Sequence, residues 1–80
     1  MTFDRTVTIE PYTGRAILFA DTPLGRFRAS IDPRYAIDLW GVPRPLDAAT
    51  FIAAIREHMD EIVKAATAAY ADGELVLQLD

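Results

Sequence analysis

Apolar and polar residues alternate along several stretches of this chain. "TVTIE", residues 6–10, puts Val7 and Ile9 on one side, which predicts a half-buried strand. "PYTG" follows as a turn, with Pro11 and Gly14 as its turn residues. "RAILFAD" and "GRFRASI" alternate again and predict two strands joined through a short loop at residues 22–25. With that loop, Asp21 lies opposite Arg26, Phe19 opposite Arg28 and Ile17 opposite Ser30 on one face. Ala20–Phe27, Leu18–Ala29 and Ala16–Ile31 make up the other face. The second face reads as core, whereas the first mixes Ile17 and Phe19 with arginines. A slip of one residue would exchange the two faces.

The period then changes from two to nearly four. In "DPRYAIDLWG", Asp32 suits an N-cap, Pro33 the first helical position and Gly41 the left-handed position after the end. The predicted helix has two turns, with Tyr35, Ala36, Leu39 and Trp40 on its apolar side. "VPRP" holds the next stretch extended. Asp47 then caps a long segment, residues 48–71, that holds nine alanines and no Gly or Pro, which predicts one continuous helix. Phe51, Ile55, Met59, Ile62 and Ala66, then Tyr70 or Ala69, form a stripe at three- and four-residue steps. Arg56–Asp60 and Asp60–Lys64 are spaced as i,i+4 ion pairs. Gly73 stops the helix, and "ELVLQLD" closes the chain as a strand, with Leu75, Leu77 and Leu79 facing one way and Val76 and Gln78 the other.

Together these elements predict an α+β fold in which residues 1–80 make a single small domain. An antiparallel sheet of three or four strands carries a short helix, one long C-terminal helix and a closing strand, in the order β-β-β-α-α-β. A helix of 24 residues spans about 36 Å and a seven-residue strand about 23 Å, so the helix is expected to overhang the sheet.

The succession "AILFADTPLGRFRASIDPRYAIDLWG", a proline-containing spacer, "FIAAIREHMDEIVKAATAAY" and "DGELVLQLD" resembles the domain of unknown function 1488 family, the YrdB-like small bacterial proteins. The resemblance runs from about Ala16 to Leu79 and rests on the order of structural landmarks. It implies the same α+β outline and a cytoplasmic bacterial setting, and it implies no catalytic residues. Members of that family often carry a cysteine in the second strand, where Ala29 stands here.

Charge and composition narrow the chemistry. The net charge is −4, and there is no cysteine, so disulfides and thiolate chemistry are excluded. Residues 1–45 hold six arginines against five acids, and residues 46–80 hold Arg56 and Lys64 against seven acids. That balance gives thin support to nucleic-acid binding. No apolar run reaches the length of a membrane span, and the first ten residues lack the basic-then-apolar order of a secretory signal. His58, the only histidine, stands near Glu57 and Glu61 but falls short of a three-ligand metal site. Ser30 and His58 lack the surroundings of a nucleophile elbow, and the isolated glycines form no phosphate loop. No cofactor is expected.

The expected function is therefore a non-enzymatic protein-interaction or regulatory module, with a homodimer through the outer sheet face as one form of it. The candidate surface is Arg15, Ile17, Phe19, Arg26, Arg28 and Arg34, where apolar residues are rimmed by arginines. A second reading is a nucleic-acid-associated regulator using Arg15, Arg26, Arg28 and Arg34. A third is a small-molecule binder or enzyme with its site between the short helix and the sheet.

Overall fold

A computed structural model describes residues 1–78 of the chain. Four strands, β1 (Thr8–Ile9), β2 (Ala16–Thr22), β3 (Gly25–Ile31) and β4 (Glu74–Leu77), form one sheet in the order β1-β2-β3-β4. Helices α1 (Pro33–Leu39), α2 (Ala48–Glu57) and α3 (Met59–Ala68), followed by a 3₁₀ turn at Tyr70–Asp72, connect β3 to β4. The fold is α+β, and its sheet is mixed.

The β2–β3 hairpin has the register expected from alternation: Ile17 pairs with Ser30, Phe19 with Arg28, Asp21 with Arg26 and Leu18 with Ala29. Thr22 pairs with Gly25, leaving Pro23 and Leu24 as a two-residue connection that fixes the register. Leu18, Ala20, Phe27, Ala29 and Ile31 are all buried and pack against Phe51, Ile55, Ile62 and Ala66 of the helices. The helices thus cover the face that the alternation marked as core.

β4 corrects the expectation of a wholly antiparallel sheet, because it runs parallel to β3. The reason is the crossover. The helical stretch carries the chain back to the level of Arg28, midway along β3, so the last strand runs in the same direction as β3. Leu75 and Leu77 face the helices, as the sequence indicated. Leu79 lies outside the described residues.

The single long helix is also corrected. It is broken at His58 (φ −103°, ψ 18°) into α2 and α3. The His58 ring nitrogen Nδ1 lies 2.9 Å from Ala54 O, the carbonyl that also accepts the His58 backbone N–H at 3.0 Å. A side chain entering the helical ladder in this way bends a helix. The apolar stripe survives the bend, since Phe51, Ile55, Ile62 and Ala66 remain buried on one side. Among the described residues no ion pair joins Arg56 to Asp60 or Asp60 to Lys64. The expected overhang is not seen: Ala66 and Ala69 pack against Ala20 and Phe27 of the sheet, and Thr67 and Ala68 are exposed on the opposite side of the rod.

The caps are as the sequence reads. Asp32 Oδ1 accepts the Arg34 N–H at 2.9 Å and Asp47 Oδ1 the Thr50 N–H at 2.7 Å. Gly41 and Gly73 adopt φ of 70° and 77° after their helical segments, a conformation costly for any residue with a Cβ. In α1, Ala36 is buried, but Leu39 is 58% exposed and not on the packed side. The N-terminal segment extends its pairing beyond β1, because Phe3 bridges Ala20 while Thr8 pairs with Ile17. Two extra residues are thereby accommodated as a bulge.

Candidate functional site

The outer face of the sheet gathers three of the four candidate arginines, and each reaches across a strand. Arg26 donates from Nη1 to Asp21 Oδ1 at 2.7 Å and from Nη2 to Asp4 Oδ2 at 2.6 Å. Its guanidinium lies 4.9 Å from the centre of the Phe19 ring, within cation–π range. The Asp4 hydrogen bond, and then that of Asp21, hold the Arg26 guanidinium above its ordinary pKa. Arg28 Nη2 stands 3.8 Å from Glu10 Oε1. Arg15 Nε stands 3.8 Å from Asp32 Oδ2, and its Nη2 donates to Gln78 Oε1 at 3.0 Å. Arg34 stands apart on α1, exposed, with its backbone N–H engaged by Asp32.

This lattice explains a burial that alternation alone leaves open. Ile17 points away from the helices, yet it is only 5% exposed. Arg28 sits on β3 at the level of Phe19, and Glu10 sits beyond β1 at the level of Arg15, to whose carbonyl it donates its N–H. A pair joining these two residues must cross β2 midway between Phe19 and Arg15, which is where Ile17 lies. The arginine stem and its carboxylate partner therefore roof Ile17, as long cationic side chains do over apolar surface. Ile17 is part of the protein's own packing and is not presented for docking. Phe19 is half-buried beneath Arg26.

The same lattice sets the charge of the face. Arg15, Arg26 and Arg28 are matched by Asp4, Glu10, Asp21 and Asp32, and Glu74 adds a further acid in register with Arg28. A phosphate backbone or an acidic surface would have to displace carboxylates already in place, so the face lacks the unpaired positive charge such ligands need.

The edge at β4 is different. Arg28 N–H donates to Gly73 O at 3.4 Å and Asp32 N–H to Leu77 O at 2.9 Å. In a parallel ladder alternate residues bond to the same neighbour, so Gly73, Leu75 and Leu77 turn their backbone groups toward β3. Those of Glu74, Val76 and Gln78 point off the edge of the sheet. The side chains of these three are exposed, Val76 to 41%.

A second cluster lies where α1 meets the helical bend. The Trp40 indole stacks on the His58 imidazole, with centroids 4.3 Å apart and planes 10° from parallel. Its Nε1–H donates to Glu61 Oε2 at 2.6 Å, and Tyr35 meets it edge-on at 5.7 Å. The contact of His58 Nδ1 with Ala54 O is a hydrogen bond only when Nδ1 carries a proton, because a carbonyl oxygen can only accept. Burial, and then the nearby Glu61 charge, raise the pKa of the Tyr35 phenol. A shallow cleft of about 280 Å³, lined by Trp40, Val42, Pro43, Ala53 and His58, opens beside the stack. It lies between the end of α1 and α2 rather than between α1 and the sheet. Ser30 points to the outer face and His58 belongs to the helical layer, so the sheet separates them and no nucleophile–base pair forms. Among the described residues no three of His, Asp and Glu converge as a metal would require.

Sequence reading found Arg26–Asp21 but missed Asp4, Glu10 and the edge groups of β4. The usable signal was in the N-terminal alternation. Phe3, Val7 and Ile9 share one parity and Asp4, Thr8 and Glu10 the other, which puts both acids on the arginine face. The Trp40–His58–Glu61 cluster left no pattern to read.

No family model, curated protein or solved structure matches this chain. Among the described residues no helix is long and apolar enough to cross a membrane.

Proposed function

We propose that the protein is a non-enzymatic interaction module that self-associates through the β4 edge, joining two sheets into one. The carrying observation is the row of outward backbone groups on Glu74, Val76 and Gln78, with Val76 exposed between two packed leucines. A two-fold axis through Val76 would set it opposite the partner subunit's Val76, exchanging both backbone hydrogen bonds. Glu74 would then face the partner subunit's Gln78. Gln78 Oε1 is taken by Arg15, so its amide N–H groups are the ones free to donate to that carboxylate. An isologous pairing of this kind closes on itself and leaves no further edge at the joint.

The resemblance to the domain of unknown function 1488 family, which rests on element order, is compatible with such a module and with the cytoplasmic setting proposed for it. An edge of this length buries less than the roughly 800 Å² per partner of a standard interface. Association is therefore expected to be weak, with a Kd of about 10 μM or higher. Light scattering over a concentration series tests the reading. The mass should rise from one chain toward two, and Val76→Lys should hold it at one by setting like charges opposite each other across the axis. A mass of one chain at every concentration would dismiss self-association. A rise that Val76→Lys leaves unchanged would place the interface elsewhere.

A further inference from the structure

On the sheet edge opposite β4, a cleft of about 380 Å³ opens where the N-terminal segment lies against the helical rod. This is a volume typical of small-molecule sites, which run from about 300 to 1,000 Å³. One wall is the segment from Met1 to Arg5. The other carries Arg56, Met59 and Val63, whose steps of three and four residues put them on one side of the rod. The base is apolar. Phe3 and Met59 both reach the buried core, and Phe3 meets the Phe27 ring edge-on at 6.3 Å. Two methionines among the lining residues give the site an adaptable surface suited to an aliphatic chain.

The charges here are unlike those of the outer face. Arg15, Arg26 and Arg28 all have a carboxylate within 4 Å, whereas among the described residues neither Arg5 nor Arg56 does. Asp4, the acid in the lining, is already bonded to Arg26 at 2.6 Å. The lining thus includes two exposed arginines that have no carboxylate within 4 Å among the described residues, in a protein whose net charge is −4.

We infer that this cleft binds a small amphiphilic anion. A carboxylate head is held by Arg5 and Arg56, and an unbranched apolar tail lies against Met1, Phe3, Met59 and Val63. An arginine on each wall suits a carboxylate, which accepts charge-assisted hydrogen bonds at two oxygens. The inference is independent of the β4 edge, since the two surfaces are on opposite margins of the sheet.

The test titrates the whole chain with decanoate, decanol and decyltrimethylammonium below their micellar concentrations, by calorimetry and by methyl NMR. Decanoate should bind with one molecule per chain and shift the methyl signals of Met59 and Val63. Decanol should bind at least about tenfold more weakly, for want of the two charge-assisted contacts, and the cationic amphiphile not at all. Arg5→Gln with Arg56→Gln should reduce the affinity for decanoate by about tenfold or more and leave decanol unchanged. Met59→Trp, which fills the cleft, should abolish binding while the far-UV circular dichroism stays native. Equal affinity for decanoate and decanol, wild-type affinity in the double arginine variant, methyl shifts confined to other residues, or no binding would each overturn the inference.

Discussion

Ile17→Ala tests whether the arginine lattice is a roof. Ile17 faces away from the helices, so a reading from layer position alone makes it a surface residue whose truncation changes stability by less than about 0.5 kcal/mol. It is instead 5% exposed, beneath the Arg28–Glu10 pair. Truncating a buried isoleucine to alanine costs about 2–5 kcal/mol, with the spread set by how far the surroundings collapse. The roof here consists of flexible side chains that can settle into the gap, which places the cost at the low end, about 2 kcal/mol. For a domain of this size each kcal/mol shifts Tm by about 4–8 °C, so a fall of roughly 8–16 °C is expected. Urea unfolding followed by far-UV circular dichroism gives the free energy directly, and an unchanged m-value shows that the native state is intact. Arg28→Ala, which removes the roof and leaves Ile17 in place, should cost less, about 1 kcal/mol, through lost packing rather than through the exposed ion pair. An Ile17→Ala penalty below about 0.5 kcal/mol would refute the roof.

Three further outcomes follow from local geometry. Asp32→Ala removes the α1 cap and the partner of Arg15, and should cost about 1 kcal/mol in the same urea assay. The Thr50 hydrogen bonds, that of its backbone N–H first, depress the pKa of Asp47. The stability this adds is fully present above the unfolded carboxylate value near 4 and is lost as pH falls through the lower folded value. Asp47→Asn should therefore flatten that part of the acid limb when the urea midpoint is followed from about pH 5 down to pH 2. His58→Ala removes the ring stacked on Trp40, the single tryptophan. Imidazole contact quenches indole emission, so fluorescence should rise, and an unchanged yield in the folded state would refute the stack.

What could be read from the sequence was local or set by a single turn. Two residues between Thr22 and Gly25, together with strict alternation, leave the β2–β3 hairpin one sensible register. Asp32, Asp47, Gly41 and Gly73 mark helix ends by chemistry confined to a few neighbouring residues. The direction of β4 was open to reasoning from the crossover, since a long helical return favours a parallel neighbour, but its alternation alone carries no direction. The bend at His58 leaves the apolar stripe intact, so the periodicity continues through it and conceals it. The roof over Ile17 joins a residue of β3 to one just beyond β1, across the strand between them. It becomes visible only when the registers of β1, β2 and β3 are known together.

Self-association through β4 is tested most directly by amide hydrogen exchange at single residues across a range of protein concentrations. Leu75 and Leu77 face β3, and their amides should be protected throughout. The Val76 amide points off the edge; it should exchange freely in dilute solution and become protected as concentration rises. A Val76 amide that stays unprotected up to concentrations well above 10 μM, or one protected even at high dilution, would contradict the account.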